Sequence, residues 1–178
     1  LTSMQALSGA GYPGMAALDM IDNIVPFIDG EEQKMQSEPL KMLGCFDGNQ
    51  VIEADFGISA QCNRVPVSDG HIVCVKVELG QAASVDQVSK SFSKFVPNDI
   101  VRGLPSSPGN FIKVFSEQDR PQPRLDRQNG GGMTTMVGRV IADSMLHIRY
   151  VVLSHNTVKG AAGGSLQNAE LLLKKDLI

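Results

Sequence analysis

The chain has 178 residues, a net charge of −3 at pH 7, and 16 basic residues that are scattered rather than clustered. Scattered cations argue against a nucleic-acid footprint and no apolar run approaches the span of a bilayer, so neither nucleic acid nor a membrane is expected as a partner. Three cysteines without paired spacing suit reduced thiols better than a disulfide frame or a zinc site, so no metal is expected and the expected compartment is the cytoplasm.

The opening Leu1-Thr2-Ser3-Met4-Gln5 lacks the charged and apolar parts of a signal peptide, and its abrupt start without Met suggests a fragment. Residues 1–8 read as the end of a strand. Gly9-Ala10-Gly11-Tyr12-Pro13-Gly14 is formally G-x-G-x-x-G, but without a βαβ unit around it the motif is weak, and Pro13 removes a donor. A tight turn leading into a helix explains these glycines equally well. Leu18, Ile21, Ile24, Val25 and Ile28 have spacings that suit a helix or a buried irregular segment of the core. Residues 31–43 read as a helix, acidic at its start and stopped by Gly44, with Pro39 expected to kink it or restart it near Glu38. On it, Glu38 and Lys41 stand three apart and share a face, which by default is a solvated pair.

Asp47-Gly48-Asn49 marks a turn inside a connector, residues 44–57. Residues 58–62 and 72–79 read as strands carrying Cys62 and Cys74 as small packed groups, with Cys45 as a helix-end thiol. Val85, Val88, Phe92 and Phe95 give an amphipathic helix over residues 84–96 that should lie across a sheet. Residues 97–110 are a connector and 111–115 a short strand. Residues 120–127 read as an extended, cationic surface loop or a crossing to a partner subunit, with Gly130-Gly131-Gly132 adding flexibility. Residues 134–142 and 145–153 form a hairpin turning at Asp143-Ser144, with apolar faces suited to a dimer sheet. Residues 157–175 are a helix whose glycines, Gly160 among them, call for close backbone approach to something.

The most informative stretch is Cys62-Asn63-Arg64-Val65-Pro66-Val67-Ser68-Asp69-Gly70-His71, where an arginine and a histidine stand seven apart across a turn. Arginine's planar fork fits a carboxylate, and histidine moves protons near neutrality. A surface cation and a strand-capping histidine are the plainer alternative.

Asn63-Arg64-Val65-Pro66-Val67 and Asp69-Gly70-His71, with the Ser8 to Gly14 turn before them and Leu153-Ser154-His155-Asn156-Thr157 after them, resemble aspartate-β-semialdehyde dehydrogenases. The likeness is to the archaeal and fungal type, most of all the fungal forms. It runs from about Thr2 to about Glu170 and matches only the back half of such an enzyme.

The resemblance implies an NADPH-dependent enzyme that interconverts β-aspartyl phosphate and aspartate semialdehyde through a cysteine thioester, in the biosynthesis of amino acids from aspartate. It implies His71 as the acid–base group and Gln5 beside the reacting carbonyl. Arg64 would grip the substrate α-carboxylate, Glu38 its ammonium and Lys41 its phosphate. Ser8, Gly9, Asn156 and Gly160 would lie at the nicotinamide end of NADP, the rest of which a separate nucleotide-binding domain would hold together with the nucleophilic cysteine. Residues 157–178 would pack on that domain.

The fold expected is α+β, a single substrate-binding and dimerisation domain over residues 1–178. It has one mixed, largely antiparallel sheet with helices on one face and the other face free to build at least a homodimer. Two other readings stand beside this one. One is an enzyme like malonyl-coenzyme A reductase on the same scaffold; the other is an assembly domain that catalyses nothing alone.

Overall fold

Short runs of alternating or apolar residues supply the strands, and a computed structural model, which describes residues 1–178, joins six of them into one sheet. In chain order, β1 (Thr2–Gln5) is followed by a 3-10 turn at Leu7–Ala10, α1 (Ala17–Met20), α2 (Glu31–Met42) and a small hairpin of β2 (Cys45–Phe46) and β3 (Val51–Ile52). Then come β4 (Gln61–Arg64), β5 (His71–Val77), α3 (Val85–Ser93), α4 (Asp99–Arg102), β6 (Ile112–Val114) and α5 (Pro123–Asp126). Last are β7 (Thr135–Ala142), β8 (Ile148–Ser154) and a π-helical segment, Val158–Ala162, that runs into α6 (Gly163–Lys174). The strand order is β4-β1-β5-β8-β7-β6, antiparallel except at β1–β4 and β6–β7. This is the mixed, largely antiparallel sheet that an α+β reading expects.

Register decides which side chains share a face. Gln5 pairs with Arg64, and Met4 pairs with Ile72, so Gln5 and His71 both point away from the side of Met4 and Ile72. One face therefore carries Arg64, Gln5 and His71 at its end. Helix α2 covers it at Cys62, whose Sγ meets Met35 Sδ at 3.4 Å, and α3 covers it where Phe92 stacks edge-on against Tyr150. Ser84 starts α3 with a capping box, its hydroxyl accepting from Gln87 N while the Gln87 side chain accepts from Ser84 N.

On the opposite face Phe115, Met136, Leu153 and Ile72 pack together at one end. The remainder, with half-buried Cys74, Val151 and Ile141 ringed by exposed Lys76, Arg139 and Arg149, has no helix over it.

Three segments differ from the sequence reading. Leu18, Ile21 and Ile24 are exposed rather than core, because only a short turn and a single bridge from Val25 to Arg64 order that stretch and nothing in the chain covers it. Helix α2 runs unbroken through Pro39, and Cys45 lies on β2 instead of at the helix end. The cationic segment is no plain surface loop. The Asp126 carboxylate, fully buried on α5, accepts from Arg120 Nε at 2.7 Å, from Arg120 Nη2 and from Gln122 N at 2.7 Å. Arg120 and Lys113 in turn hold their cations 4.8 and 4.9 Å from the centre of the Phe115 ring.

The C-terminal helix is likewise less regular than expected, turning out of helical geometry at Ala161. It is tied within the chain by Glu170 Oε2, which accepts from Ser106 N at 3.1 Å and Ser106 Oγ at 2.7 Å.

The core is thin, and the surface shows it. The accessible area is 11370 Å², whereas a compact monomer of 19.1 kDa exposes about 8,400 Å². The excess of about 3,000 Å² is the size of an extensive protein interface. Much of it is apolar: Leu18, Ile21, Phe27, Met42, Leu43 and Phe46 are each more than half exposed. No helix is long and apolar enough to cross a membrane, and no cluster of His, Cys, Asp and Glu has the makings of a metal site.

The Asp126 pair generates a stability prediction. Burial alone would push this carboxyl up, but the bonds from Arg120 and Gln122 outweigh it and hold it below the ordinary carboxylate value. A carboxyl lowered in the folded state stabilises above its unfolded value and loses that contribution as pH falls through the folded one. Asp126→Ala should lower unfolding free energy by about 3 kcal/mol at pH 7, measured by urea denaturation, with the gap to wild type narrowing below about pH 4. Equal midpoints at pH 7 would show that the loop is not held this way.

Candidate active site at one end of the sheet

Strands β4 and β5 are not neighbours; β1 lies between them. The residues following β1 are zipped onto the loop that joins the other two, through Val65 N to Gln5 O at 3.0 Å, Leu7 N to Val67 O at 2.8 Å and Ser8 N to Ser68 O at 3.1 Å. Arg64, the last residue of β4, and His71, the first of β5, thus meet across the end of β1. Gly70 turns the chain into β5 with φ of 97°, a conformation that other residues resist.

Arg64 is 5% exposed and no carboxylate lies within ion-pair distance of it. Its one internal side-chain bond is from Nη1 to the carbonyl of Ala6 at 2.7 Å. Ala6 also donates its backbone N–H to His71 Nδ1 at 3.1 Å. Gly9 closes over both: a Cβ there would stand 2.8 Å from Arg64 Nη1 and 3.0 Å from His71 Cε1 and Nε2. Gln5, 6% exposed, donates from Nε2 to Glu31 Oε2 at 3.0 Å, and Glu31 Oε1 pairs with Lys34 Nζ at 3.1 Å.

The charges tune one another. Burial, then the neighbouring Arg64 cation, pull His71 down to about 4, with Glu31 opposing. The Gln5 bond holds Glu31 below the usual carboxylate range; burial opposes this and Lys34 and Arg64 reinforce it. Burial also pulls the Arg64 guanidinium down, again with Glu31 opposing.

The structure brings Gln5, Arg64, His71, Ser8, Gly9 and Asn156 together. Asn156 accepts from Gly70 N and donates to Ser8 Oγ, both at 2.8 Å. One N–H of Asn156 and the Ser8 hydroxyl proton remain, a donor set suited to a carboxamide. Gly160 stands apart, exposed in the π segment, its amide bonded to His155 O at 3.1 Å.

Glu38 and Lys41 are not gathered in. Both are exposed, neither makes a side-chain bond within the chain, and they lie two turns, about 10 Å, beyond Glu31 and Lys34 on the same helix. Sequence reading passed over the Glu31-x-x-Lys34 pair, which repeats the same spacing at the N-terminus of α2. The signal was its place directly after Gly30, where the helix enters from the site.

None of the three cysteines is placed as a nucleophile. Cys45 is exposed on the remote hairpin, Cys74 faces the other side of the sheet, and Cys62 is fully buried, its thiol pushed up by burial.

The profile of the family described as semialdehyde dehydrogenase, dimerisation domain, matches residues 1–159. Aspartate-semialdehyde dehydrogenase of Archaeoglobus fulgidus is 51% identical over 178 residues, covering 100% of this chain and 51% of that protein. The Schizosaccharomyces pombe enzyme of the same name is 48% identical, again covering 100% of the chain and 51% of the relative. The chain thus spans about half the length of the curated relatives it matches. Among solved structures, aspartate semialdehyde dehydrogenase with NADP from Candida albicans superposes with a TM-score of 0.89 at 40% identity, over 99% of this chain and 50% of that one. With the fold, the profile and the relatives in agreement, the chain belongs to the semialdehyde dehydrogenase dimerisation-domain family.

Proposed function

We propose that this chain is the substrate-binding and dimerisation half of an NADP-dependent aspartate-semialdehyde dehydrogenase, which interconverts β-aspartyl phosphate and aspartate β-semialdehyde. One observation carries the reading: Arg64 is a buried cation with no carboxylate partner, and a buried charge without a partner is costly unless a ligand completes it. An α-carboxylate fits the guanidinium fork in two places. Gln5 stands beside Glu31 and aligns the reacting carbonyl, and His71 faces the reacting atoms.

Glu31 takes the role of receiving the substrate ammonium and Lys34 that of the phosphate, in place of Glu38 and Lys41. Glu31 is already held as a carboxylate, and Lys34 is a compact, mobile cation beside it. Bound NADPH would supply the hydride in the reductive direction, and NADP would accept it in the reverse, with Ser8 and Asn156 meeting the carboxamide of the nicotinamide and Gly9 leaving space beside them. The thiol that bonds the substrate and most of the cofactor contacts come from outside these residues, so the chain alone is expected to turn nothing over.

The open sheet face and the excess surface suit a second copy of the chain and a nucleotide-binding domain as partners.

The test is NADP reduction by aspartate semialdehyde and phosphate, in the longer protein that joins this chain to a nucleotide domain. Arg64→Lys should cut kcat/KM about 100-fold, because lysine cannot make the paired contact; unchanged kinetics would refute the assignment. Glu31→Gln should raise KM for the semialdehyde about tenfold, the value of a charge-assisted bond, while Glu38→Gln leaves it within about twofold. The reverse pattern would return the role to Glu38. Gly9→Ala should lower kcat strongly by displacing both Arg64 and His71; wild-type turnover would contradict the close approach seen here.

A further inference from the structure

Ala6 is wholly buried, with its two backbone groups turned toward two different side chains of the site. Its carbonyl accepts from Arg64 Nη1 at 2.7 Å and its N–H donates to His71 Nδ1 at 3.1 Å. A buried N–H is seldom left without an acceptor, and Ala6 has only this one. A donor requires a lone pair opposite it, so Nδ1 is the unprotonated nitrogen and the neutral ring carries its proton on Nε2. A second proton would have to enter at Nδ1, facing the Ala6 N–H and beside the Arg64 guanidinium, while Glu31 is the one nearby anion to offset it. The low proton affinity of this ring agrees with that picture. Nε2 has no partner within the chain and is not sealed off, so it is then the edge available to a ligand.

We infer that the Ala6 backbone N–H locks His71 as its Nε2–H tautomer, so that the resting imidazole presents a hydrogen-bond donor, not a base, to the reacting group. Ala6 is a positioning residue in this scheme, acting through the ring. The donor would stabilise negative charge developing on the substrate oxygen. This consequence rests on the proposed reading of the site; the tautomer itself does not.

The experiment is a two-bond 15N–1H correlation spectrum of the 178-residue chain, labelled with 15N-histidine, at pH 7. His71→Gln identifies the His71 signals by their loss. His147, whose Nδ1 accepts from Leu79 N at 2.9 Å, is an internal reference for the same tautomer. His71 should show an unprotonated Nδ1 and a protonated Nε2 with about a tenfold excess over the other tautomer, which is what one bond of about 1.4 kcal/mol supports.

Replacing Ala6 by its α-hydroxy acid, so that an ester oxygen stands where the amide N–H was, deletes the donor that faces His71 Nδ1 and adds no atom between them. In that variant the excess should collapse toward a mixture and the ring should titrate at higher pH. A proton resident on Nδ1, a ring already cationic at pH 7, or a folded ester variant with an unchanged tautomer ratio would each overturn the inference. None of these readouts needs substrate, so failure of the dehydrogenase assay would leave the tautomer result standing and would count against the proposed activity alone.

Discussion

The constraint on which the site depends is a guanidinium taken out of water without an ion to meet it. Arg64 ends β4 under the turn that follows β1, where the Ala6 carbonyl satisfies one of its donors and nothing else in the chain satisfies the rest. Keeping a cation there is unfavourable in a folded protein unless something is gained in return. What is gained is a fixed fork of donors beside Gln5, Glu31 and His71. The sheet topology follows the same need: inserting β1 between β4 and β5 lets one short segment, residues 5–9, touch the arginine, the histidine and the helix start together.

The remainder of the molecule holds that end still and leaves other surfaces open. Helices α2 and α3 cover the site face, the Asp126–Arg120–Phe115 assembly covers one end of the opposite face, and the rest of that face is bare. A chain with about 3,000 Å² more surface than its mass warrants has much of its burial still to make. The exposed apolar residues between 18 and 27 and around the β2–β3 hairpin are where a partner would complete it. That dependence agrees with a site whose polar groups are well organised within the chain while no thiol stands beside them.

Much of this was legible in the sequence, and the failures have physical causes. The Arg64 to His71 spacing was readable because a loop between strand ends limits how far two side chains can diverge. The hairpin at Asp143 was readable from turn chemistry, and the Asp143 carboxylate does accept from Met145 N and Leu146 N. Glu38 and Lys41 were singled out ahead of Glu31 and Lys34 because spacing on a helix repeats. Glu31 and Lys34 share their face with Glu38 and Lys41, and only the packing of α2 against β4 says which pair reaches the site. Leu18, Ile21 and Ile24 were read as core because apolarity reports that a residue is meant to be covered, not by what. The hydrogen bond that sets His71 comes from a backbone atom of an alanine, which no motif records.

The measurement that tests the account most directly is to titrate the 15N-labelled chain with aspartate semialdehyde and follow the Arg64 Nε–H resonance. If an external carboxylate completes the buried guanidinium, that resonance shifts saturably, the amides of Gly9 and Glu31 move with it, and those from Glu38 to Lys41 stay in place. A shift confined to the Glu38 and Lys41 end of α2, with Arg64 unmoved, would contradict the claim that the site is built on Arg64.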